Sequence, residues 1–178
     1  MPLTAALAVV GLLVLAGSAF GADQRVVKGQ DDCDPVTFTA AGVPCIGDGR
    51  TTIQDLIAGA QAGIAVDKWD FSRPDFNIDA GGTITFVNEG GEGHTFTRVD
   101  AFGDGCIAVV DPGGVIDNPA VPDCATFNPA TDPRVVRPGG TQTVRGLAPG
   151  TVLFQCIIHP WMRSTVDVRA NGDRGGRG

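Results

Sequence analysis

Residues 147–162 read Leu147-Ala148-Pro149-Gly150-Thr151-Val152-Leu153-Phe154-Gln155-Cys156-Ile157-Ile158-His159-Pro160-Trp161-Met162. Pro149-Gly150 is a turn signal, and Val152, Phe154 and Cys156 then alternate with Thr151, Leu153 and Gln155. Alternation of period two predicts a strand with one face in a core, so the Cys156 thiol enters a dry environment. Beyond the strand, a thiol, an imidazole and a thioether fall within one short turn.

Similar strand patterns lie on both sides. Ile84 and Phe86 alternate with Thr83 and Thr85, and Phe96 alternates with Thr95, Thr97 and Val99. Val135-Val136, residues 141–144 and residues 164–168 add further short runs, with Val166 and Val168 on one face. Gly81-Gly82 and Pro138-Gly139-Gly140 punctuate them as turns. Many short strands with such breaks predict an all-β chain folded as a Greek-key β-sandwich.

The chain has two histidines, His94 and His159, and Met162 is its sole methionine besides the initiator. A thiolate, two imidazoles and a weakly bound thioether form the ligand set of a type 1 (blue) copper centre. These ligands serve both copper oxidation states, as an electron-transfer site requires. Zinc also takes Cys and His, but structural zinc sites rarely use Met. The metal ligands read from the residues are therefore His94, Cys156, His159 and Met162, holding one copper. Taken singly, His94 would be an exposed polar residue, Met162 core and Cys156 an ordinary buried thiol; their joint spacing makes the case.

The pattern C-x-x-H-P-x-M behind an apolar strand resembles the C-terminal ligand loop of the cupredoxins, the plastocyanin and azurin family, and its short spacing is amicyanin-like. The resemblance extends to residues 82–88 followed by His94, and covers roughly residues 67–169. It implies a cupredoxin-like sandwich, a mononuclear type 1 copper and single-electron transfer between redox partners. In this comparison His94 and Cys156 lie deep, while His159 lies nearer the surface inside an apolar collar of Ile157, Ile158, Pro160 and Trp161. Thr95 stands where many members carry an Asn that ties the two ligand loops together. Residues 102–133 are longer than a minimal member needs.

The remaining chain frames this domain. Residues 3–20 read as the apolar core of a secretory signal ending near residue 21, with an uncleaved membrane anchor as the alternative. Residues 22–66 read as an N-terminal extension, polar and mobile over 23–34. A short helix then starts at Thr51, with Thr51 and Gln54 as a capping box and Ile53, Leu56, Ile57 and Ala60 on one face. Asp48-Gly49 lacks the acidic spacing of a calcium loop. Residues 170–178 read as a disordered, Gly/Arg-rich tail.

Of the five cysteines, the site claims Cys156. The other four allow three pairings, and sequence proximity favours Cys33–Cys45 and Cys106–Cys124. Disulfides accord with an extracytoplasmic location, periplasmic or secreted. The formal net charge of −7 argues against nucleic acid and favours a basic redox partner for a monomeric carrier. Two histidines cannot furnish the second copper centre of a multicopper oxidase or nitrite reductase. A Cys156–His159 nucleophilic pair would need an open cleft where the sequence offers Ile, Ile, Pro and Trp. A non-enzymatic electron carrier is therefore expected, with an extracytoplasmic copper carrier or store as the alternative.

Overall fold

Strand β4 (Thr83–Asn88) buries every second residue, and Ile84, Phe86 and Asn88 face inward. It lies inside one of two four-stranded sheets. The computed structural model describes residues 23–111 and 124–170. The expected signal segment, most of the expected tail and part of the 102–133 stretch lie outside these residues.

In the first sheet the order is β2 (Asp70–Phe71), β1 (Gln24–Gln30), β4 and β8 (Thr141–Val144). The second runs β3 (Asp75–Asp79), β10 (Arg163–Arg169), β9 (Gly150–Gln155) and β6 (Thr97–Val99). A short antiparallel pair, β5 (His94–Thr95) with β7 (Val135–Val136), completes the all-β sandwich. Parallel β1–β4 and β3–β10 pairs mark crossovers between the sheets, whereas β9 and β10 pair antiparallel across the 156–162 turn.

Phe86, Phe96 and Phe154 stack between the sheets, with Phe96 and Phe154 centroids 4.2 Å apart, and Phe71 meets Phe86 edge-on. Removing each phenyl side chain from water contributes about 1.5–3 kcal/mol. The expected alternation holds in β9 and β10, where Val152, Phe154, Val166 and Val168 are all buried.

The N-terminal region corrects two expectations. Residues 24–30 form β1, not part of a mobile arm: Val27 is fully buried, and the strand pairs with β4 over six residues. Lys28 lies on the outer face, where it pairs with Glu89 at 3.0 Å, and Arg25 near the strand's start is half-buried and pairs with Asp23. Gly29 permits this packing, since a Cβ there would stand 2.6 Å from the Phe86 ring. Residues of the expected extension thus belong to the sandwich itself.

The helix expected at Thr51 is α2 (Ile53–Gln61), capped one residue later by Thr52 and Asp55. Thr51 is held instead in a bridge beside Cys33, its N–H donating to the Asp32 carbonyl while its own carbonyl accepts from Asp34 N–H. Ile53, Leu56 and Ala60 do face the core. A second helix, α1 (Pro35–Ala40), starts at an Asp34 cap with Pro in its first turn. That start signal stands plainly in Asp34-Pro35.

Both expected disulfides are formed, Cys33–Cys45 and Cys106–Cys124, and among the described residues Cys156 is the free cysteine. The first fastens the α1–α2 region beside the His94 loop. The second fastens residues 102–111 near the Cys156 turn, where the Cys106 N–H donates to the Ile157 carbonyl. No described helix is long and apolar enough to cross a membrane.

Candidate metal centre

Strand β9 ends at Gln155, so Cys156 is the first residue of the following turn and is fully buried. The turn closes on itself. Met162 N–H donates to the His159 carbonyl, and Cys156 N–H donates to the Met162 carbonyl, both at 3.0 Å. Met162 is therefore anchored beside Cys156 with its side chain buried. His94 arrives from β5, which β7 holds in place by antiparallel pairing.

One ligating atom from each of His94, Cys156 and His159 lies within 4.8 Å of the other two. His159 Nδ1 faces Cys156 Sγ at 3.7 Å. His94 is fully buried, and its Nδ1 has no hydrogen-bond partner among the described residues. A buried imidazole nitrogen without a partner, beside a thiol and a second imidazole, suits a metal that accepts both donor types.

Thr95 supplies the loop-to-loop tie. Its Oγ1 accepts from Ile157 N–H at 2.9 Å, and its own N–H points at Cys156 Sγ at 3.4 Å. Gln155 braces the opposite side, exchanging hydrogen bonds with the Gly103 backbone.

Two carboxylates stand behind the imidazoles, and sequence reasoning passed over both. Asp31 Oδ2 lies 2.8 Å from His94 Nε2. Glu92 Oε2 lies 3.4 Å from His159 Nε2 and accepts from Trp69 Nε1 at 3.0 Å. Glu92 stands two residues before His94, a signal that local reading had within reach. Asp31 is remote in sequence and becomes visible only once β1 pairs with β4.

Burial opposes charge on Asp31, His159 and Cys156, yet the mutual contacts prevail. Hydrogen bonding and attraction to His94, with N–H groups of Glu92 and Gly91, lower the Asp31 carboxyl to about 2 despite its burial. Burial likewise works against a charged His159, but the Glu92 charge and Cys156 lift it to about 10. Burial raises the Cys156 thiol, whereas the adjoining His159 and His94 imidazoles hold it well below its ordinary value. The same neighbours that lower the thiol therefore favour the thiolate, the form of cysteine that binds metal.

The surface position expected for His159 is corrected. The residue is 1% exposed, Ile157 and Pro160 are buried, and Trp161 is half-buried with its ring centroid 5.6 Å from that of His159. The cause is the chain surrounding the turn. His159 and Glu92 look into a cavity of about 610 Å³ walled by Val43, Ile57, Val109 and Val135. Segments outside the minimal sandwich form much of this wall.

No protein-family model matches the chain. Among curated proteins it is similar to a chloroplastic plastocyanin of Hordeum vulgare, 29% identical over 136 residues, covering 76% of this chain and 73% of that protein. Similar solved structures include a reduced Cu(I) form of an amicyanin mutant, at 19% identity over 58% of this chain and 77% of that one, with a TM-score of 0.36. A purple cupredoxin from Nitrosopumilus maritimus matches at 17% identity over 58% and 86% of the two chains, with a TM-score of 0.38. An oxidised amicyanin mutant matches over 86% and 88%, at 15% identity and a TM-score of 0.39. The plastocyanin similarity accords with the C-x-x-H-P-x-M turn and the sandwich that carries it, and supports the resemblance to the cupredoxins.

Proposed function

We propose that this protein is an exported electron carrier holding one type 1 copper through His94, Cys156, His159 and Met162. The convergence of Cys156 Sγ, His159 Nδ1 and the unpartnered His94 Nδ1 in a buried pocket carries the reading. Copper so held supplies a reversible one-electron step. The chain's own part is to keep the donors fixed between oxidation states, through the closed 156–162 turn, the Thr95 tie and the carboxylates behind both rings. Full burial of Cys156 and His94 limits the approach of further ligands that would demand rearrangement. A carrier is favoured over an enzyme because the fully buried thiolate faces the two imidazole donors.

Two disulfides and the apolar run at residues 3–20 support an extracytoplasmic setting. The partner is a redox protein, and the acidic net charge favours a basic one docking on a monomer. The test is to load purified protein with copper and record visible and electron paramagnetic resonance spectra. An intense thiolate-to-copper band with narrow copper hyperfine splitting is expected, and Cys156→Ser should abolish the band. A colourless copper(II) form with an ordinary type 2 spectrum overturns the reading.

A further inference from the structure

Each histidine of the centre is backed by its own buried carboxylate, and the two acids come from different parts of the chain. Asp31, at the end of β1, bonds His94 Nε2, with its side chain only 1% exposed. Glu92, in the loop before β5, stands behind His159 Nε2 with its side chain 6% exposed. Neither acid is positioned by chance packing. Asp31 also accepts from the N–H groups of Cys33, Gly91 and Glu92. Glu92 is held by the Trp69 indole, itself fully enclosed and stacked against Phe38.

The glycine between these acids is part of the arrangement. A Cβ on Gly90 would stand 2.0 Å from Asp31 Oδ2 and 3.0 Å from His94 Nε2. A side chain at that position would occupy the space where carboxylate and imidazole meet. The backbone therefore leaves this one contact open by having no Cβ there.

We infer that Asp31 and Glu92 are positioning residues that fix both imidazoles with Nδ1 toward the thiolate and bias the centre to the more highly charged state of its metal. The inference rests on the copper reading above. A carboxylate that accepts from Nε2–H fixes the ring's tautomer and orientation and raises the basicity of the other nitrogen. Two such anions also act through charge. Copper(II) with one thiolate carries a net charge of +1, which the carboxylates bring to −1. One added electron takes that centre to −2, whereas without them it would reach zero. With the Asp31 and Glu92 side chains 1% and 6% exposed, this difference is only partly screened, so the acids oppose reduction. Their role is to set the potential and to hold the rings still, while the ligands make the bonds.

Asp31→Asn and Glu92→Gln preserve shape and one acceptor oxygen while removing the charge. Copper(II) and copper(I) affinities and the reduction potential are measured on the intact protein and both variants. Outer-shell changes typically cost 10–100-fold in metal affinity. We expect each variant to lose about tenfold in copper(II) affinity relative to copper(I), equal to a rise of about 59 mV for a one-electron couple. Retention of the thiolate band in the variants shows that the ligand set has survived. A wild type without that band overturns the copper reading itself. A wild type and variants that share the band and the same potential overturn the inference alone. Should loss of the Asp31 charge unfold the 90–92 turn, Glu92→Gln decides, because its carboxylate has no backbone donor among the described hydrogen bonds.

Discussion

Thr95 and Cys156 meet across the two ligand loops. The Thr95 N–H lies 3.4 Å from the Cys156 sulfur, and its hydroxyl accepts from the N–H of the next residue, Ile157, at 2.9 Å. One residue therefore contacts the sulfur and also fixes the backbone just beyond it. Thr97 donates its own hydroxyl proton to Thr95 Oγ1 at 3.1 Å, so the acceptor is held from both sides.

Thr95→Val keeps the shape and the main-chain N–H but deletes the acceptor. The Ile157 N–H is then left buried without its partner, at a cost of about 1–3 kcal/mol. Urea unfolding of the metal-free protein should reveal that loss. Copper binding should survive, because the three donors remain, with the charge-transfer band broadened as the turn loosens. Stability equal to wild type would mean the hydroxyl has no bracing role.

The disulfide pattern makes a chemical prediction that needs no metal. Mature protein unfolded without reductant should titrate as one thiol, from Cys156, and as five after reduction. Alkylation followed by peptide mapping should place Cys33 with Cys45 and Cys106 with Cys124. Three or more reactive thiols before reduction would refute the pairing and with it the argument from an oxidising compartment.

What the sequence discloses, and what it hides, follows from range. The 156–162 turn is local: its donors are spaced by a few residues, so their chemistry is legible from the string alone. Strands β4, β9 and β10 are equally legible, because inward apolar residues alternate with polar ones. Strand β1 escaped notice since only Val27 among its larger side chains is fully buried, while Arg25 and Lys28 make it look like a solvated arm. Missing β1 also hid Asp31, whose place beside His94 spans 63 residues. His159 was misjudged for a related reason. Its exposure depends on α2 and residues 107–110 folding over the turn, which no local pattern reveals.

Asp111 should give the 102–111 segment a distinct pH signature. Burial lifts its carboxyl above the ordinary value; donation from Gly105 N–H works against this, and the nearby Asp104 charge adds to the rise. A carboxyl raised in the folded state binds protons more tightly there than in the unfolded chain. Its ionisation consequently weakens the fold above the raised value, and stability recovers as pH falls toward the unfolded value of about 3.9. Asp111→Asn keeps an acceptor for Gly105 and removes the ionisation. Its stability advantage over wild type should be largest near pH 7 and shrink as pH approaches 4, measured by urea unfolding at several pH values. A gap independent of pH would show that the carboxyl ionises without cost.

Electron exchange should pass through the cavity over His159. That ligand and Glu92 line its floor, while Val43, Ile57 and Val109 form the apolar wall. Val109 is 49% exposed, so a partner can reach it without unfolding anything. Apolar rims allow the close, weak docking of redox encounters, whose interfaces are small. Val109→Asp should therefore slow bimolecular transfer while leaving the charge-transfer band unchanged. Val26 on β1 is comparably exposed at 46% but does not line the cavity, so Val26→Asp is the matched control for added negative charge. Added charge alone would alter both variants alike, through steering that fades as salt screens it. Stopped-flow rates with the physiological partner, at low and high ionic strength, separate the two effects. Slowing confined to Val109→Asp and persisting in high salt assigns the port to the cavity; equal rates in both variants would move it elsewhere on the surface.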